Sequence, residues 1–368
     1  MNDNSVLTQA SHQWRTRPSD QRFTSLLELN AATLHAKTYA RGSVVPSRSL
    51  TAVPVDGDHN ALVVRGPNGN HAQLTHWSFN QLAQRSGAPA GYLRNLPGPL
   101  AADCVNYGLI SRDVDDVGVL LHKNGGPTEL RAVTGPNYGR IWNHTITAAL
   151  VARFGDGLTG DFRVPGEFGK AVPITKENTT LYASDRDMFV FLADEVRRIE
   201  IPNRRDGQSG SLARGFFVWN SEVGAQTFGI ATFLFDYTCS NRIVWGAEQF
   251  REIKIRHTVS APDRWVEEVA PALVAYAESS TDGLESAINV ARAKMIGTQD
   301  RVDEFLKKRF TANQAKAISA AHMADEQRPI ESLWDAATGI TAYARGIQWQ
   351  DERVTLEREA GKMLSLAI

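Results

Sequence analysis

The chain has 368 residues, 42% of them hydrophobic and 22% charged, with 40 Lys+Arg against 41 Asp+Glu. That composition excludes wholesale disorder, and a formal charge of −1 excludes a global positive field, so nucleic-acid binding would need a local basic face. Two cysteines, Cys104 and Cys239, have no CxxC partner, which excludes a disulfide scaffold or thiolate metal site and fits a reducing, cytoplasmic compartment.

The polar N-terminus reads as no signal peptide. The longest apolar stretch, near Phe228–Leu234, is too short for a membrane span of about 20 residues, so no membrane partner is expected. The fold class is α+β: a central antiparallel or mixed β region flanked by helices, with a helical C-terminal third. Residues 1–74 read as an N-terminal helix and small β-rich segment and 75–258 as the α+β core. Residues 259–368 read as a helical region, separate from the core or continuous with it.

In chain order, Phe23, Leu26, Leu27, Ala31 and Leu34 fall on one helical face, and short β runs follow between residues 42 and 73. A helix from near Trp77 stops at Gly87, a short one passes Tyr92 and Leu93, and Pro97-Gly98-Pro99 precedes another that reaches about Ser111. Val117–Lys123 and Thr128–Val133 around Asn124-Gly125-Gly126 read as a β-hairpin. A helix over about 139–154 comes next. Met188–Leu192, Phe216–Trp219, Thr227–Tyr237, Ile243–Trp245 and Phe250–His257 read as strands, rich in aromatic and β-branched residues. Between the first two, Asn203–Gly215 is rich in Arg, Gly and Ser and reads as a long loop. From Pro262 onward the pattern is helical, with a kink required at Pro271.

Common catalytic signatures are incomplete. Gly155–Gly160 matches GxGxxG by letter, but it follows a helix and is not followed by one, so it reads as a helix stop. Gly166–Lys170 lacks the first glycine and the Ser/Thr of a phosphate-binding loop, and Gly207–Ser211 is no nucleophile elbow. Histidines are scattered, so neither a metal nor a cofactor is expected.

Two constellations could carry function. The first is Arg186, Arg204, Arg205, Arg214, Trp219, Lys254, Arg256 and His257, cations interleaved with aromatics as single-stranded DNA binding requires. The second is Asp236, Glu252 and Lys254, two carboxylates and a lysine as in Mg²⁺-assisted phosphodiester hydrolysis; alternation puts Glu252 and Lys254 on one side of a strand. A third reading, a modulator of a host protein, makes no demand on either set.

The segment Gly215–Gly224, followed by Thr227–Phe235 and Cys239-Ser-Asn-Arg-Ile-Val244, resembles the phage/plasmid-like protein family catalogued as domain of unknown function 932. Arg256-His257, Phe79–Ala83, Arg131-Ala-Val133 with Tyr138, and Trp334 with Thr341–Ala344 agree, so the resemblance runs over roughly residues 75–365. Arg242 departs from the family, where glycine is usual. The resemblance implies a mobile-element setting and carries no catalytic residue. Asn220, Ser221, Gly224, Cys239 and Asn241 read as its structural motif, with Asn220, Ser221 and Asn241 as turn formers bonding their own backbone and Cys239 as a small buried residue. The expectation is an accessory protein that binds single-stranded DNA in replication, recombination or establishment, acting as a homo-oligomer because a near-neutral chain gains affinity by multiplying weak sites.

Overall fold

The computed structural model describes residues 17–55, 57, 61–112, 116–165, 173–202, 209–236, 241–243, 253–347 and 350–367. Two sheets and a helical C-terminal third make the fold α+β.

The first sheet contains β2 (Ala40–Pro46), β3 (Thr51–Pro54), β4 (Leu62–Arg65), β5 (His71–Leu74), β6 (Asp116–His122) and β7 (Glu129–Thr134), in the order β2-β6-β7-β5-β4-β3. Only β5 and β7 run parallel. Strands within 1–74 thus share a sheet with the 116–134 hairpin. That hairpin forms as the sequence predicts, with Gly125 at φ 70°. One face of the sheet receives α2 (His76–Ser86) and α4 (Gly98–Ser111), with α3 (Ala90–Leu93) between them. Thr75 caps α2 through Ser78 N, and Gly87, at φ 75°, ends it. The other face packs Ala40, Leu120 and Ala132 against Val223.

The second sheet has the order β1-β9-β10-β12-β13-β14, with β8 on β10, β11 on β12 and β15 on β13. The ranges are β1 (Arg22–Phe23), β8 (Phe162–Arg163), β9 (Leu181–Ala183), β10 (Met188–Asp194), β11 (Ile199–Ile201), β12 (Gly210–Asn220), β13 (Phe228–Asp236), β14 (Asn241–Ile243) and β15 (Ile253–Ile255). Phe216 and Val218 lie on the face covered by α1 (Leu26–Thr38), α5 (Asn143–Phe154) and the helices after residue 260. Phe217 and Trp219 lie on the opposite face with Tyr182, Phe189, Phe191 and Phe233. Neighbouring strand residues are therefore both buried, because both faces are covered. Two of the rings on that second face sit over a cross-strand glycine. A Cβ at Gly229 would overlap the Trp219 ring, and one at Gly215 the Phe233 ring.

Three expectations change. Residues 210–215 belong to β12 rather than to a loop; 203–208 lie outside the described residues. α5 begins at Asn143, not 139, because Gly139 lies against Thr258 and donates to the His257 carbonyl. The kink at Pro271 takes the form of a π-helical turn, Trp265–Val269, between α6 (Ala261–Arg264) and α7 (Ala270–Glu278). Gly155 and Gly157 end α5 in left-handed φ and lead into a strand, as expected of a helix stop. In the C-terminal third, α8 (Asp282–Ala293), α9 (Gln299–Lys307), α10 (Ala312–Glu326), α11 (Leu333–Arg345) and α12 (Gln350–Ser365) bury a core that includes Leu212 and Leu234 of the sheet. Capping boxes at Thr311/Gln314 and Ser332/Asp335 start α10 and α11.

Candidate functional site

β12 ends at Asn220, and the turn that follows ties the two sheets together. Gly224 closes it at φ 78°. Its carbonyls are claimed from the first half of the chain. Tyr138 Oη donates to Ser221 O (2.8 Å), Arg140 Nε to Glu222 O (2.8 Å), and Trp77 Nε1 and Gln81 Nε2 both to Val223 O (2.9 and 2.8 Å). Ser221 Oγ accepts from its own turn at Ala225 N (3.0 Å), as a turn former should. Asn220 does otherwise: its Nδ2 reaches across to Ile141 O and Asn143 Oδ1, both at 2.8 Å. Asn241 opens β14 opposite Asp236, and Cys239 lies outside the described residues.

Glu222 is buried in this seam. Its Oε1 accepts from Asn143 N (2.8 Å) at the first turn of α5, and its Oε2 is 3.6 Å from Arg131. Burial raises its pKa, against the opposing pull of Arg131 and the Asn143 amide. Beside it opens a cavity of about 470 Å³, with Arg131, Thr33 and Asn143 among its walls and the exposed carboxylates Asp20, Glu129 and Asp185 at its rim.

A file of cations and rings runs along the seam. Lys37 lies 5.8 Å from the Trp142 ring; Arg140 is 5.5 Å from Trp142 and 5.6 Å from Tyr138; Tyr138 stacks on His257 at 4.7 Å. Arg256 and Lys254 follow, both exposed. Arg186 lies 4.5 Å from the ring of Trp77 at the same end of the sheet. His257 takes a hydrogen bond geometry that fits Nδ1–H donating to Gly139 O (3.0 Å), and burial pushes its pKa down to about 4. It is therefore neutral at pH 7 and serves as a stacking ring rather than a cation.

Of the sequence-predicted binding set, the structure places His257 on the Tyr138 ring, exposed Arg256 and Lys254 just before it in the chain, and Arg186 against Trp77. It corrects two others. Arg214 is 1% exposed: its Nε meets Asp194 Oδ2 (3.1 Å), and its other nitrogens donate to Tyr276 O, Ala277 O and Ser279 Oγ, capping the C-terminal end of α7. Trp219 is fully buried, stacked on Phe217. Neither can reach a strand of nucleic acid. Arg204 and Arg205 lie outside the described residues.

Of the nuclease constellation, the structure describes the backbone positions of Asp236 and Lys254. Lys254 is in register with Gly229, and Asp236, on the same strand as Gly229, pairs with Asn241. Seven positions along β13 separate the two, which at about 3.3 Å per residue is on the order of 20 Å, so the strand register does not set Lys254 beside Asp236. Glu252 lies outside the described residues, and among those described no group of three or more His, Cys, Asp or Glu could hold a metal ion. Nor is any helix among them long and apolar enough to cross a membrane.

Sequence reasoning missed Lys37, Arg140 and Trp142 as site residues. Each is locally unremarkable, and only the folding of residues 136–143 over the motif turn brings them into one file.

Neither the curated proteins nor the solved structures offer a match to this chain. A family model does match, over residues 173–362, a narrower span than the resemblance from about residue 75 implied. The matched span takes in the motif turn, most of the second sheet and the C-terminal helices. As it covers more than half of the chain, the protein belongs to the family described as domain of unknown function (DUF932).

Proposed function

We propose that this protein binds single-stranded nucleic acid along the seam between its sheets. In the setting the family resemblance implies, it would act as an accessory of a phage or plasmid in replication, recombination or establishment. The observation that carries the reading is the alternating file Lys37, Trp142, Arg140, Tyr138, His257, continued by Arg256 and Lys254. Cations spaced between flat rings offer phosphate contacts and stacking platforms together, and stacking tolerates any base. The test is fluorescence anisotropy with labelled single- and double-stranded oligonucleotides over a salt series. Single strands bind more tightly, and affinity falls steeply with salt. Lys254→Ala and Arg256→Ala, both at exposed positions, each lower the slope of log affinity against log salt by about one. No salt-sensitive binding at low salt, or unchanged slopes in both variants, rejects the reading.

A second reading, association with a protein or with another copy of the chain, is favoured by α4. Leu100, Tyr107 and Ile110 share one helical face, and the latter two are each 75% exposed. Sedimentation of the Tyr107→Ser, Ile110→Ser double variant beside wild type tests self-association directly.

A further inference from the structure

The first sheet has a face larger than its helices cover. α4 lies against β3 and α2 against β7, and the remainder of the same face is an open cleft of about 490 Å³. Register shows why the floor is continuous: Ser43 pairs with Val119, Arg41 with Leu121, Leu121 with Leu130, and Ala72 with Val64, so these side chains project to one side. Val64, Ala72, Val119 and Leu130 form an aliphatic floor that belongs to the buried core. The rim carries Arg41, Lys123 and His71, all exposed, together with Tyr39 and the asparagines of the β4–β5 turn. No carboxylate lines the cleft among the described residues. Arg41 spends its Nη1 on the carbonyls of Thr38 and Ala40, which fixes the guanidinium at the rim without neutralising it. The volume lies within the usual range for small-molecule sites, roughly 300–1,000 Å³.

We propose that this cleft is a binding site for a small amphipathic anion, an apolar body carrying one acidic group. The apolar part would lie over that floor against Val45, Leu121 and the Tyr39 ring, the apolar lining that remains open to water. The acidic group would face Arg41 and Lys123. A cationic amphiphile of the same length gains the floor but is repelled at the rim, so charge sign is the discriminating property. The site is on the opposite side of the sheet from the seam and is independent of nucleic-acid binding.

The experiment is calorimetric titration of the full chain with decanoate, below its micellar concentration, beside decylamine. Decanoate binds at about one per chain, and decylamine binds at least tenfold more weakly. The Arg41→Ala, Lys123→Ala double variant loses about tenfold in decanoate affinity, a change of about 1.4 kcal/mol. Ser43→Trp places a bulky ring in the cleft from an exposed position on an edge strand, so the fold is preserved, as circular dichroism would verify, while decanoate binding is abolished. Absence of decanoate binding overturns the proposal, as does equal binding of decylamine. Undiminished binding by a folded Ser43→Trp variant also overturns it, since the ligand would then sit elsewhere.

Discussion

His257 sits between the sheets as a neutral imidazole, and that makes it a measurable reporter of the seam. Burial against Tyr138 and Gly139, with the positive charge of Arg140 nearby, lowers its pKa from 6.5 to about 4. Asp263 lines the same surface hollow as His257 and is the acidic group in that hollow; Arg256 is its exposed neighbour. The folded state therefore resists protonation. Above about pH 6.5 both folded and unfolded chains carry the neutral ring, and His257 leaves stability unchanged. As pH falls, the unfolded chain takes up a proton that the folded one refuses, so stability declines until the pH nears 4. The full decline is 2.5 pKa steps, roughly 3 kcal/mol, and between pH 7.5 and pH 5 it amounts to about 2 kcal/mol. Urea unfolding of wild type and of His257→Gln at both pH values isolates it. Glutamine is neutral throughout, so the variant escapes this part of the acid loss, and the wild-type-minus-variant difference shrinks by about 2 kcal/mol on going to pH 5. A ring titrating near 6.5 in the native state by NMR, or identical acid losses in the two proteins, would refute the argument.

Two further substitutions probe the fold around the site. Gly139→Ala places a Cβ onto the Thr258 carbonyl oxygen, which is backbone and cannot turn aside; a loss of about 1–3 kcal/mol is expected in denaturant unfolding, with the Tyr138–His257 stack disturbed in aromatic NMR shifts. Arg214→Met removes a buried guanidinium and leaves Asp194, itself fully buried, with Arg197 as its ion-pair partner among the described residues and the carbonyls of Tyr276 and Ala277 poorer in donors; stability falls by about 3 kcal/mol while the salt slope for DNA is unchanged. A lowered slope with intact stability would return Arg214 to the surface.

Much of the architecture was legible because its signals are local. The 116–134 hairpin announces itself through Asn124-Gly125, the stop of α2 through Gly87, and the central strands through runs such as Met188–Leu192. Arg214 misleads because composition does not report burial. Gly, Ser and Arg around it suggest a loop, yet β11 and β13 flank β12 there, and a buried carboxylate with the end of a helix make a place for the charge. Trp219, which shares a face with Phe217, misleads for a related reason. Aromatic residues two apart on a strand mark one face, but not whether water or another layer meets it. Glu222 was read only as a letter of a motif; its burial at the first turn of α5 depends on residues some eighty positions away, a distance no local pattern spans.

The seam has few apolar contacts and many directed ones, and this bears on how it could work. Val223 packs on Ala40, Leu120 and Ala132, but the turn is held chiefly by donors from Trp77, Gln81, Tyr138 and Arg140 to its carbonyls. Apolar packing tolerates sliding; hydrogen bonds to successive carbonyls fix one register. Lys37, on α1, and Arg140 and Trp142, just before α5, form one group, and Lys254, Arg256 and His257, on and after β15, form the other. On the proposed reading a bound strand touches both. It then binds only the assembled seam, and by mass action it stabilises the seam in proportion to its occupancy. Arg140 has a place in both halves of that linkage, since its Nε holds the Glu222 carbonyl while its guanidinium lies between the rings of Tyr138 and Trp142. A loss of affinity on removing Arg140 would consequently combine contact and assembly, whereas Lys254 and Arg256, at the exposed end of the file, report contact more directly.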